Sequence, residues 1–222
     1  MRRVLQAIAS MALWIAATFA GAGRLNWTRG WICVALYAVT MSALAIIVGR
    51  KNPGLLQERM NWRRKDTKPF DKIFLLLLFF LAFAFPAVAG LDAVRFRWSS
   101  MSFVAVYPGA ILFWLAAAAM TWALVVNPYA ESTVRIQTER GHRVISSGPY
   151  HFVRHPMYVG MILMYPAMAL ILGSLAALAL SGMIALLFVW RTVMEDRTLR
   201  RELAGYDEYA RATRFRLIPG IW

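Results

Sequence analysis

Apolar residues fall into six runs, at about 4–22, 30–49, 73–91, 103–126, 156–172 and 175–190. Crossing the hydrocarbon core of a bilayer takes roughly 20 residues at 1.5 Å each, and the first four runs are long enough. The last two have 17 and 16 residues and are separated by Gly173-Ser174. This pattern predicts a tight helical hairpin over 156–190, fully or partly spanning. No Pro or Gly interrupts the sixth run before Gly205, so its helix is expected to continue past the membrane through Arg191 to Leu203. Pro86, Pro108 and Pro166 lie in or at the ends of helical runs and are expected to kink them. The fold class predicted is all-α: a polytopic membrane bundle of about six embedded helices with a cytoplasmic C-terminal helical cap. Residues 1–126 are expected to form four N-terminal transmembrane helices, and 127–222 a separate C-terminal unit of loop, hairpin and helical cap.

Composition supports a membrane protein. Of 222 residues, 60% are hydrophobic and the mean hydropathy is +0.53, too apolar for a soluble domain. The single cysteine, Cys33, excludes an intramolecular disulfide. The net charge of +14 raises the question of nucleic acid, but the basic residues cluster beside apolar runs. That is the pattern of a membrane protein anchored on its cytoplasmic side, with membrane lipids as partners and no nucleic acid. The start, Met1-Arg2-Arg3 before an apolar run, resembles a signal peptide. It is read as a retained first helix, because removing it leaves an odd helix count. Lys and Arg divide 21 to 4, with Arg24, Arg29, Arg95 and Arg97 on the minor side, which places both termini in the cytoplasm of what is read as a prokaryotic inner membrane. The 50–72 loop carries Leu55, Leu56, Met60 and Trp62 among its bases, yet is read as an ordinary positive-inside connector rather than an amphipathic lipid-binding segment. Trp27, Trp31, Trp98 and Trp222 are read as interfacial belt residues.

The chemistry gathers in one polar block, 141–160, between two apolar stretches. It holds all three histidines, His142, His151 and His155. Asn127-Pro128 ends the fourth run, Arg140-Gly141 and Gly148-Pro149 mark turns, and Pro156 stands where a fifth helix can begin without its missing N–H being felt. The N-terminus of that helix faces the loop with free amide donors, an end that suits a carboxylate. A second constellation follows: Arg191-x3-Glu195-Asp196-x2-Leu199-x6-Tyr206-x2-Tyr209, then Arg214-Phe215-Arg216-Leu217-Ile218-Pro219. Arg191 and Glu195 share a helical face.

Gly148-Pro149-Tyr150-x3-Arg154-His155-Pro156-x-Tyr158-x-Gly160, followed by the acidic pair, Leu199, the spaced tyrosines and Pro219, resembles the isoprenylcysteine carboxyl methyltransferase and phospholipid methyltransferase superfamily. The resemblance covers about 127–219, with Glu195-Asp196 in place of two glutamates. It implies an integral membrane enzyme that uses S-adenosylmethionine on a lipophilic acceptor. It also implies cofactor contacts from Gln137, His142, Arg143, Val144, Ile145, Tyr150, His155, Pro156, Met157, Tyr158 and Glu195. Arg191 becomes the contact to a substrate carboxylate, Arg191, Arg154 and His155 the catalytic candidates, and no metal is implied. Carboxyl O-methylation of an isoprenylcysteine-like compound leads, because a carboxylate is ionised at neutral pH and needs only positioning. N-methylation of a phospholipid amine or S-methylation of a thiol stays open, with His142 or His155 as the base. A nicotinamide-dependent sterol-type reductase and a non-catalytic membrane protein also stay open.

Overall fold

The computed structural model describes residues 2–59 and 66–222. Among these residues all regular structure is helical: α1 (Arg2–Ala22), α2 (Thr28–Lys51), α3 (Pro53–Arg59), α4 (Pro69–Gly90), α5 (Val106–Val126), α6 (Pro156–Leu172), α7 (Leu175–Glu202) and α8 (Tyr206–Ala212), with short 3-10 turns and a π-helical stretch, Leu91–Phe96, after α4. The fold is a polytopic membrane helix bundle. Four helical stretches are long and apolar enough to cross a bilayer: Thr28–Lys51, Pro69–Phe96, Phe103–Val126 and Leu175–Glu202. The apolar parts Ile8–Ala22 and Pro156–Leu172 are shorter. The 156–190 hairpin is therefore unequal. α6 has 17 residues, whereas α7 runs for 28 residues, since nothing after Trp190 breaks a helix until Gly205 turns the chain at φ +79°.

Pro86 and Pro166 lie inside α4 and α6. Pro108 is the third residue of α5, in the first turn, where the helix has no amide bond to lose. Trp27 departs from the belt expected of it. It is 6% exposed and packs edge-on against Phe19 at 6.4 Å, whereas Trp31 and Trp98 are exposed. The Trp222 ring lies beneath the Arg216 guanidinium.

The chain resolves into two compact units. The first comprises Met1–Met41, Leu76–Trp114 and Ile162–Leu186. In it α1 and α4 touch backbone to backbone at Gly21 and Gly90, where any side chain collides with the facing helix. Buried Asp92 accepts from Ser99, from Ser174 and from the Ala176 amide, closing the start of α7.

The second unit comprises Ser42–Leu75, Leu115–Met161 and Leu187–Trp222. Among the described residues every lysine and arginine belongs to it except Arg2, Arg3, Arg24, Arg29, Arg95 and Arg97. The 50–72 segment is more than the connector the sequence suggests. Leu55 of α3 is fully buried in a cluster with Val48 and Leu124, and Asn52 donates to Leu124 O at 3.2 Å. Arg59 donates to Ala130 O at 2.6 Å. Met60, Trp62, Arg63, Arg64 and Lys65 lie outside the described residues.

Candidate active site

Beyond α5 the chain must satisfy its amides without a helix, and side chains do it. Asn127 Oδ1 accepts from the Tyr129 amide at 2.8 Å, a turn that carries the chain off the helix end. Arg135 then locks the segment. It meets Glu131 through two bonds of 2.9 Å, Glu139 at 2.6 Å and Asp66 at 3.0 Å. The hydrogen bonds it donates to Glu131 foremost hold the buried guanidinium above its ordinary value. Gln137 donates to Tyr129 O at 2.7 Å and accepts from Arg140 at 2.6 Å.

Gly141, at φ +61°, reverses the chain and brings His142 back over Tyr129, with ring centroids 4.6 Å apart. Burial lowers the His142 imidazole below its ordinary 6.5; Glu195 and Glu131 pull the other way. The residue is neutral at pH 7. Its folded pKa is depressed, so the unfolded chain takes up the proton first on acidification, and the stability present above 6.5 is lost as the pH falls below it. Amide protection over residues 137–145 is expected to drop as the pH falls through 6.5, with His142→Phe removing the pH dependence. Hydrogen exchange that is flat through this pH would contradict a buried neutral His142.

Two glycines of the motif have packing reasons. Gly148 sits at φ +59° against Trp122 and Val126. Gly160 brings α6 onto α5, where a Cβ would strike Met120 and the Ala116 carbonyl. This close approach sets the first turn of α6, which begins at Pro156 as expected. The Arg154 and His155 amides donate to Phe215 O at 2.9 Å and Arg216 O at 3.0 Å, tying the motif to the tail. Tyr158 stacks on His155 with ring centroids 5.5 Å apart and donates its hydroxyl to Glu195.

Glu195 and Asp196 do different jobs. Successive residues of a helix point about 100° apart. Asp196 is buried and gathers Arg154 (2.8 Å), Tyr206 (3.0 Å), Arg216 (3.1 Å) and Arg200 (3.4 Å). Arg154 is itself buried, and it also donates to the carbonyls of Thr213 and Arg214, both at 2.8 Å. His155 Nε2 lies 3.8 Å from Asp196 Oδ1, beyond hydrogen-bond length, and has no hydrogen-bond partner among the described residues. Glu195, in contrast, has no ion-pair partner among the described residues.

Arg191 is buried one turn before Glu195. Its Nε faces Asp71 Oδ1 at 2.8 Å, its Nη2 donates to Ser132 O at 2.8 Å, and it lies over the rings of Phe74 (4.3 Å) and Tyr158 (5.2 Å). The Asp71 contact is an ion pair set off the line a hydrogen bond prefers.

These elements line an open cavity. Every residue given a cofactor, substrate or catalytic role from the sequence lines it except two, Gln137 and Pro156. Gln137 is turned into its own loop. Pro156 serves as the first residue of α6. Tyr206 and Tyr209 close the wall, Tyr209 donating to Tyr150 O at 2.7 Å. Burial pushes both hydroxyls up, so they remain donors. Glu131, Thr133 and Arg135 line the cavity unforeseen, and Asp71 supports it unforeseen through Arg191, whereas Asp196, named in the sequence as half of the acidic pair, supports it through Arg154. Asp71 left one sign in the sequence, an acid at the head of an apolar run, where a carboxylate demands a partner.

The family model described as phospholipid methyltransferase matches residues 104–204. The matched family belongs to the superfamily of isoprenylcysteine carboxyl methyltransferase-like integral membrane methyltransferases. No curated protein matches it in sequence. The matched segment runs from α5 through α7 and includes most of the cavity wall. The match, together with the apolar helices, supports an integral membrane protein of methyltransferase type, and the family implies a lipid environment and a lipophilic substrate. Methyltransferases of this family generally use S-adenosylmethionine, and the donor set fits that molecule. Glu195 offers a carboxylate to a cation, exposed Arg143 on the wall offers a cation to a carboxylate, and the tyrosines offer surfaces to a purine.

Proposed function

We propose that this protein transfers the methyl group of S-adenosylmethionine to a carboxylate on a lipophilic, isoprenylcysteine-like acceptor. The observation that carries the reading is the pair on α7: Glu195, an anion without an ion-pair partner among the described residues, one turn from Arg191, a buried cation in the wall of the same cavity. When bound, S-adenosylmethionine supplies a methyl group activated by a sulfonium. Glu195, Arg143 and the 142–145 loop bind and orient it. Arg191 orients the acceptor carboxylate, which is ionised at neutral pH and needs no base. Tyr206, Tyr209 and Tyr150 exclude water. Arg154 serves in this reading as a positioning residue, holding Asp196 and the tail. Residues 127–222 constitute the catalytic core, to which 1–126 contributes membrane helices and the side chains of Arg59 and Asp71.

A second reading, an amine acceptor, has one observation in its favour. Asp71 offsets the charge of Arg191, and buried His155 Nε2, which has no hydrogen-bond partner among the described residues, is the group to accept a proton. Arg191→Lys and Arg191→Gln separate the two readings. On N-acetyl-S-farnesylcysteine both variants are expected to lose about tenfold or more in turnover, with S-adenosylmethionine binding nearly intact. On phosphatidylethanolamine neutralising Arg191 is expected to be harmless or helpful. Full activity of both variants on the carboxylate would remove the carboxyl methyltransferase reading.

Both termini are assigned to the cytoplasm on the 21-to-4 division of basic residues. An epitope placed after Trp222 is expected to resist impermeant reagents on intact cells and to react after lysis. Reaction on intact cells would reverse the orientation.

A further inference from the structure

We propose that Asp71 is a positioning residue that acts through Arg191 and decides which edge of its guanidinium meets the acceptor. The inference rests on the methyltransferase reading above. Asp71 is the third residue of α4, and its side chain is fully buried. It does not line the cavity and so touches no ligand. A carboxylate in such a place is costly unless every lone pair it turns inward is answered. One oxygen, Oδ2, accepts the Val134 amide at 2.7 Å, and the other faces Arg191 Nε at 2.8 Å.

The consequence for Arg191 is geometric. Nε is ion-paired with Asp71 off the hydrogen-bond line and Nη2 donates to Ser132 O, while Phe74 and Tyr158 lie against the guanidinium and oppose its rotation. Among the described residues Nη1 has no protein partner. The acceptor is therefore gripped by the Nη1 end in a direction fixed from behind, rather than by the Nε–Nη2 edge that a carboxylate otherwise prefers. The same two residues pin the cavity wall on both sides of Thr133, Arg191 through the Ser132 carbonyl and Asp71 through the Val134 amide. Asp71 thus aligns the cation and the backbone beside it together, and it also offsets a charge that would otherwise draw any anion into the site.

Removing only the charge gives a signature that loss of structure does not. In Asp71→Asn the amide oxygen still accepts from Val134, while Arg191 is left uncompensated and free to turn. With labelled S-adenosylmethionine, N-acetyl-S-farnesylcysteine as acceptor, and rates divided by S-adenosylmethionine-binding sites, kcat is expected to fall about tenfold or more while KM for the acceptor stays level or drops. Asp71→Glu is expected to recover part of the loss. In an Arg191→Gln background the Asp71→Asn change is expected to cost no more than about twofold, because its route of action is gone. Equal losses in both backgrounds, or a raised KM with kcat kept, would overturn the assignment. Should Asp71→Asn yield no folded protein, Asp71→Glu takes its place in the cycle, with the same two outcomes. A parent protein that binds no S-adenosylmethionine would defeat the methyltransferase reading itself, whereas an additive cycle on a binding, active parent defeats only the role of Asp71.

Discussion

Replacing Glu195 with glutamine weakens S-adenosylmethionine binding by roughly ten- to a hundredfold. The substitution is nearly isosteric, and the side-chain carbonyl still accepts the Tyr158 hydroxyl that Glu195 accepts now. What is lost is the charge. The other acids of the site, Glu131, Asp71 and Asp196, are each held against an arginine. Glu195 is held only by a neutral donor and lines the cavity. A hydrogen bond to a charged group contributes about 1.5–3 kcal/mol, and each 1.4 kcal/mol is a factor of ten. Calorimetry on the folded variant measures this directly. Unchanged affinity would reduce Glu195 to the partner of Tyr158 and move the cation site elsewhere in the cavity.

Arg154→Ala is expected to be the most destabilising change at the site, and its effect falls on folding before catalysis. The sequence points to Arg154 as a catalytic candidate, but its guanidinium is directed at Asp196 and at carbonyls of the tail. Removing one partner of a buried ion pair costs about 3–5 kcal/mol, because the other charge stays buried. Arg216 and Arg200 also reach Asp196, but their side chains are 30% and 37% exposed and offset only part of the loss. At about 2–4 °C per kcal/mol for a chain of this size, the thermal midpoint should fall by on the order of 10 °C. Arg154→Lys is expected to give little back, since a point charge cannot bridge the carboxylate and two carbonyls at once. A midpoint within about 2 °C of the parent, with methyl transfer abolished, would restore Arg154 to catalysis.

The helices were legible in the sequence because a bilayer imposes one simple rule, a long apolar run closed by charge or Pro. Pro156 as the first residue of α6 and the long reach of α7 follow from the same local chemistry. The polar block was legible for the opposite reason: no membrane helix keeps three histidines and a run of Arg, Pro, Tyr and Gly together without use for them. What the spacing could not say is where each side chain points. Gln137 and Arg154 belong to the right segments yet spend their donors on backbone carbonyls, the Gln137 side-chain oxygen and Asp196 included in the same inward networks. Glu195 and Asp196 are neighbours in sequence but face different partners. Asp71 finds Arg191 across 120 positions, a pairing no local pattern encodes. Trp27 at a run end looked like an interfacial anchor, but its ring turned inward against Phe19.

The central claim is methyl transfer from S-adenosylmethionine to a lipophilic carboxylate. The measurement that tests it most directly is incubation of the purified protein with methyl-labelled S-adenosylmethionine and N-acetyl-S-farnesylcysteine, followed by organic extraction and mild alkali. The account predicts label in the organic phase that alkali releases as methanol, the behaviour of a methyl ester. Folded protein that leaves the organic phase unlabelled, or labels it only in an alkali-stable product when lipid extract replaces the carboxylate, would contradict it.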